Sequence, residues 1–218
     1  MTMLRLYTYF RSSAAYRVRI ALALKGLAYE SVPVHLLRGG GEQHQQGYHA
    51  VNPAALVPAL QDGPHTLTQS LAIMEYLDEA YPATAALLPP DALGRARVRA
   101  LALAVACDIH PLNNLRVLRY LNHPLEQPEE VRNTWARHWM GLGLAAMEQE
   151  LARSPHTGLC CHGDAPTLAD CCLIPQAFNA RRFSLDLAAW PTVQRIVAHC
   201  EALEPFAAAH PARQPDAE

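Results

Sequence analysis

The sequence predicts an α/β N-terminal half followed by an all-α C-terminal half, and two observations carry that reading. Short extended runs and a helical pattern alternate over residues 4–81 in the order βαβ–ββα, after which only helical periodicity persists. A proline-punctuated stretch from Pro82 to Pro90 separates the two patterns. Domains are therefore expected at residues 1–82 and 93–218, with a linker at residues 83–92.

The elements follow in order. Leu4–Tyr9 reads as a strand, and Ser13–Lys25 as a helix that Gly26 ends. A strand over Tyr29–Val34 leads into Gly39-Gly40-Gly41, beside Gln43 and His44. That loop suits either a mobile flap or a plain surface connection. A short helical piece precedes Asn52-Pro53. Val57-Pro58 introduces an extended run to Gln61, Asp62-Gly63 turns the chain, His65–Thr68 returns it, and a helix covers Ser70–Tyr81. Beyond the linker, Val98, Leu101, Val105 and Ile109 predict a long helix that Pro111 interrupts and kinks. Trp135–Leu151 and Val193–Leu203 are further helices, and Thr167–Asp170 has the form of a capping box opening the apolar run Cys171–Ile174. The proline- and alanine-rich tail from His210 is expected to fray.

Half of the 218 residues are hydrophobic and 17% are charged, an ordinary globular composition. The net charge of −2, with dispersed basic residues, argues against a nucleic-acid partner. No apolar run matches a bilayer, and Met1–Phe10 lacks the layout of a signal peptide, so no membrane partner and a cytoplasmic location are expected. The six cysteines include the adjacent pairs Cys160-Cys161 and Cys171-Cys172, without CxxC or finger-type spacing. With His162 they form the one grouping with some metal-ligand character; buried thiols and no metal are the expectation.

The chemistry concentrates at a few points. Arg11-Ser12-Ser13 stands where a strand hands over to a helix, and there the unpaired N–H groups and the helix dipole favour an anion, a thiolate among them. A plain N-cap is the competing reading of Ser12 or Ser13. A cis bond at Val57-Pro58 would turn the Val57 N–H and C=O toward an extended ligand. Ser70, after Gln69, opens a helix that can cap itself and bind a carboxylate together. His110, Asn114 and Arg116 mark a break in a helix and suit a cleft wall. Arg181 and Arg182 follow Asn179, and an arginine fork fits a carboxylate.

Taken in order, these pieces resemble the cytosolic glutathione transferases, whose first domain is thioredoxin-like and whose second is all-helical. Within that family the zeta class, which includes maleylacetoacetate isomerases, is the match. Its signature Ser-Ser-Cys-x-Trp-Arg-Val-Arg compares with Ser12-Ser-Ala-Ala-Tyr-Arg-Val-Arg19. The resemblance extends through Ile20–Gly26, Asn52-Pro53, Gln69–Ile73, Ile109–Leu115, Asp170–Pro175 and Asn179–Phe183, nearly the whole chain. Ala14 stands where the family has cysteine, which excludes any mechanism needing a protein thiol there. Tyr16 replaces the tryptophan.

The resemblance implies glutathione as cofactor and cis–trans isomerisation of a maleyl keto acid, maleylacetoacetate to fumarylacetoacetate. The rivals are maleylpyruvate isomerisation, conjugation or dehalogenation of small electrophiles such as α-haloacids, and a non-enzymatic binding module. Maleylpyruvate stays in view because a similar His-Pro-x-Asn-Asn stretch occurs in the isomerases that act on it. The resemblance also implies roles: Ser12, Arg11 and Arg182 catalytic; Ser12, Ser13, Gln43, Val57, Pro58, Gln69, Ser70, His110, Asn114 and Leu115 on glutathione. Arg11, Arg116 and Arg182 would receive a small dicarboxylate substrate. A homodimer is the implied assembly.

Overall fold

In the computed structural model of the protein, which describes residues 3–218, the sheet is built outward from β1 (Leu4–Thr8), whose side chains alternate between fully and partly buried. β2 (Tyr29–Pro33) runs parallel on one side, with Leu4 opposite Tyr29. The crossover between them is α1 (Ser13–Leu24), followed after β2 by the single turn α2 (Gln46–His49). β3 (Ala59–Asp62) lies antiparallel on the other side of β1, with Tyr7 opposite Ala59, and turns back as β4 (His65–Thr68). The order is β2-β1-β3-β4, and α3 (Ser70–Ala80) completes the βαβ–ββα pattern. The expected strand Leu4–Tyr9 and helices Ser13–Lys25 and Ser70–Tyr81 each end one residue early.

α1 is buried on nearly every side, yet it carries Arg17 at 2% and Arg19 at 1% exposure. Arg19 resolves this by donating to Thr8 Oγ1 at 2.9 Å, the Tyr9 carbonyl at 3.3 Å and the Phe10 carbonyl at 2.9 Å. Burial pulls its pKa down to about 10, so it keeps its charge at neutral pH. The loop carrying Arg11 and Ser12 is thus pinned from beneath.

The second, helical unit contains α4 (Ala92–Leu103), α5 (Leu115–Asn122), α6 (Glu129–Arg153), α7 (Leu168–Arg182) and α8 (Pro191–Glu201). α7 is the central helix, buried from Leu168 through Ala177. α6 presents Met140, Leu144, Met147 and Leu151 as one buried stripe at helical spacing. The long helix expected through Ile109 changes earlier than Pro111. At Ala104 it passes into a π-helical turn, Ala104–Ile109, and then a 3₁₀ turn, His110–Asn113. Proline has no N–H to sustain α-type bonding, and the π turn upstream absorbs the change of register. Among the described residues no helix is long and apolar enough to cross a membrane.

The tail departs from expectation. Residues up to Leu87 and Ala202–Glu218 form one compact unit, and Leu88–Glu201 the other, so the final segment does not belong to the helical unit as the expected 93–218 boundary had it. α9 (Glu204–Ala209) lies on α1 with Phe206 and Ala209 buried. The tail from His210 does not fray: Pro211–Arg213 form a 3₁₀ turn, and Gln214 donates to the Ala208 and His210 carbonyls at 3.0 Å. Arg19 donates to the Ala209 carbonyl at 3.2 Å, a cation at a helix C-terminus. Asp216 accepts from the Phe10 N–H at 2.9 Å. Alanine's small side chain allows the close approach, and the partners that hold the tail lie at the other end of the sequence.

Candidate functional site

Ser12 caps α1, its Oγ accepting from the Ala15 N–H at 3.2 Å. A hydroxyl that accepts still has its own proton to give, so cap and anion donor are the same geometry. Ser13 is buried as the first residue of the helix. Beside them the half-buried Arg11 lies over the Phe10 ring, 5.1 Å from its centroid, and donates to the Tyr9 hydroxyl at 3.0 Å. These contacts aim the guanidinium.

Tyr9 and Phe10 pack in one apolar cluster with Val34, Tyr48 and Val57. That cluster brings the Ser12 loop and the Val57–Pro58 turn together. The peptide between Val57 and Pro58 is cis. The carbonyl before it, on Leu56, accepts from the Tyr48 hydroxyl at 2.6 Å and from Asn52 Nδ2 at 2.7 Å. Burial pushes Tyr48 up to about 12, so it stays a donor. Among the described residues the Val57 N–H and C=O enter no hydrogen bond, which leaves one donor and one acceptor for an extended ligand.

Ser70 opens α3 and is buried, while Gln69 before it is exposed with φ +68°. Arg17 Nη1 donates to Ser70 Oγ at 3.1 Å, so a helix N-terminus and a guanidinium meet at one residue and both favour an anion. Gln43 is buried in a 3₁₀ turn, and its Oε1 lacks a partner among the described residues. Gly41 makes room for it: a Cβ at that position would lie 2.5 Å from the Gln43 amide nitrogen.

The remaining site residues lie in the helical unit. Asn114 caps α5 by accepting from the Arg116 N–H at 3.1 Å, and its Nδ2 sits 3.1 Å from His110 Nε2. Leu115 is half-buried, and Arg116 exposed. Arg182, exposed near the end of α7, donates from Nη1 to Asn179 Oδ1 at 3.1 Å.

Reasoning from sequence alone overlooked Arg17, Arg19, Tyr48 and Asn52 as supports of these groups. The available signal was two arginines inside an otherwise apolar helix, which must find buried acceptors.

Five of the six cysteines are buried and all are thiols. Cys160, Asp170 and Cys200 come close enough to share an ion. The Asp170 carboxylate, however, already accepts from the Cys161 N–H, the Thr167 N–H and the Thr167 hydroxyl, at 2.8, 2.8 and 2.9 Å. Burial pushes the Cys161 thiol up, and a hydrogen bond between Cys200 and Cys160, together with burial, pushes the Cys200 thiol up. Buried thiols around a carboxylate already committed to three donors form part of the packed core.

Residues 6–85 match the family described as glutathione S-transferase, N-terminal domain. A maleylacetoacetate isomerase of Pseudomonas aeruginosa is 51% identical over 98% of this chain and 98% of its own. A holo structure of a maleyl pyruvate isomerase, described as a bacterial glutathione S-transferase in the zeta class, is 48% identical with a TM-score of 0.94. It covers 98% of this chain and 100% of the other. The chain belongs to the zeta-class glutathione transferases. A further match is the maleylacetoacetate isomerase of Methylobacterium extorquens AM1 with bound malonate and glutathione, at 45% identity and TM-score 0.94, covering 98% and 99% of the two chains. As a zeta-class transferase the chain has the thioredoxin-like first domain, with its mixed four-stranded sheet, and the helical second domain that its sequence predicted.

Proposed function

We propose that this zeta-class transferase is a maleylacetoacetate isomerase, a glutathione-dependent cis–trans isomerase forming fumarylacetoacetate. Identity of 51% along essentially the full length of an isomerase of that name carries the choice of reaction. The first unit suits a small acidic peptide. It offers Val57 one backbone donor and one acceptor, a buried Gln43 oxygen without a partner among the described residues, and two helix N-termini.

Glutathione, when bound, supplies a thiolate that adds reversibly to the cis double bond and so permits rotation about it. Ser12 donates its hydroxyl proton toward the sulfur, and the α1 N-terminus adds its dipole; both hold the sulfur in its charged form. Val57 pairs with the ligand backbone, while Gln69 and Ser70 meet its γ-glutamyl carboxylate. Ser13, Gln43, Pro58, His110, Asn114 and Leu115 complete the contacts. Arg11, Arg116 and Arg182 receive substrate carboxylates, and Arg11 and Arg182 stabilise charge that moves onto the carbonyl. Ala14 leaves this work without a protein thiol.

Maleylpyruvate is the second reading, because a maleyl pyruvate isomerase matches with a TM-score of 0.94. A homodimer in the cytoplasm completes the proposal. Leu93, Leu103 and Leu142, exposed on α4 and α6, and the free thiols support it.

The test measures both maleyl keto acids, with and without glutathione, on the parent and Ser12→Ala. Activity should require glutathione, favour maleylacetoacetate and fall about ten- to a hundredfold in Ser12→Ala with glutathione still bound. Equal turnover without glutathione overturns the mechanism; preference for maleylpyruvate overturns the substrate.

A further inference from the structure

Two buried amides connect Arg182, a candidate substrate-binding group of the helical unit, to the backbone of the turn after α4. Arg182 donates to Asn179 Oδ1 at 3.1 Å. Asn179 Nδ2 donates to Asn113 Oδ1 at 2.8 Å, with Met140 Sδ at 3.8 Å. Asn113 Nδ2 in turn donates to the Ile109 carbonyl at 2.9 Å. Asn179 is 6% and Asn113 5% exposed.

The two ends of this chain set its direction. A guanidinium only donates and a carbonyl only accepts, so Asn179 must turn its oxygen toward Arg182 and its nitrogen toward Asn113. Asn113 must follow one step on. Flipping either amide sets donor against donor or acceptor against acceptor, and bonds aligned in one sense reinforce each other.

The chain is anchored at its far end. Ile109 is buried against Gly143, where any Cβ would overlap its side chain. The following turn is gripped by Trp135 Nε1, which donates to the Leu112 carbonyl at 2.7 Å. A rigid turn thus reaches through two amides to an exposed guanidinium.

We propose that Asn179 and Asn113 are positioning residues, which fix the orientation of Arg182 before a dicarboxylate substrate arrives. This rests on the reading that Arg182 receives a substrate carboxylate. A neutral amide suits the task, since it orients the guanidinium without cancelling its charge. An aspartate at 179 would pair with Arg182 and compete with the substrate.

The test compares the parent, Asn179→Leu, Arg182→Ala and the double variant, each saturated with glutathione. Calorimetric affinity for malonate is read beside KM and kcat for maleylacetoacetate. Asn179→Leu should weaken malonate about tenfold and lower kcat/KM for maleylacetoacetate by at least as much, through both KM and kcat, with glutathione affinity unchanged. In the Arg182→Ala background the same change should add nothing, because its effect runs through the missing guanidinium. Asn113→Leu should repeat the pattern from the second link, and it serves if Asn179→Leu does not fold. Equal losses in both backgrounds mean a general loosening of α7 and overturn the proposal, as does no loss in the parent. If Arg182→Ala itself leaves malonate affinity and KM unchanged, the carboxylate reading of Arg182 falls and takes the proposal with it.

Discussion

Arg17 Nη1 donates to Ser70 Oγ at 3.1 Å, so the Arg-Val-Arg run of α1 supports the first residue of α3. A buried guanidinium behind a helix N-terminus adds to the local preference for an anion. Arg17→Met should therefore weaken glutathione binding about tenfold in calorimetry, and Ser70→Ala by less. Undiminished affinity in Arg17→Met would show that the carboxylate is held elsewhere.

The contrast between Ser12 and Arg17 shows what could be read from sequence. Ser12 and Ser70 were visible because a period of two gives way to helical spacing beside each of them, and helix N-termini carry predictable chemistry. Arg17 and Arg19 were not, because the Arg17 acceptor lies 53 residues away, one Arg19 acceptor lies 190 away, and its others, on Thr8, Tyr9 and Phe10, come within reach only once strand and helix pack. The tail was misread for the same reason. Its proline and alanine content describes a weak isolated helix and says nothing of the Phe10 N–H that Asp216 accepts from. Pro111 announced a break, but the chain begins to adjust at Ala104, where the residues themselves are ordinary helix formers.

Gly41 has φ +113° and faces the Gln43 amide. Gly41→Ala imposes a strained backbone and displaces a buried side chain proposed to contact glutathione. It should lower unfolding free energy by about 1–3 kcal/mol and weaken glutathione binding. Urea unfolding together with calorimetry checks both; a change in stability alone removes Gln43 from the glutathione contacts.

Lys25 and Asp78 form a pair at 3.1 Å in which the lysine side chain is fully buried and the aspartate 11% exposed. Lys25 also donates to the Ala85 carbonyl, and Asp78 accepts from the Leu87 N–H, so the pair fastens the end of the first unit. Breaking it from one side strands a buried charge. Asp78→Ala should cost about 3–5 kcal/mol, whereas Lys25→Met with Asp78→Leu should cost less than that single change. Additive losses in urea unfolding would mean that the two charges act independently.

Asp91 caps α4, accepting from the Gly94 N–H at 2.7 Å, and that bond holds its carboxyl below the ordinary value of 3.8. A folded-state pKa below the unfolded one means that the unfolded chain takes up the proton first. The cap's contribution is then complete above the unfolded value and is lost as pH falls through the folded one. The gap in thermal midpoint between the parent and Asp91→Ala should be constant above about pH 5 and narrow steadily below 3.8. Asp91→Asn, a capping side chain with no proton to gain, should keep its lead over Asp91→Ala throughout. A parent lead that survives undiminished in strong acid would show that the carboxyl's charge plays no part in the cap.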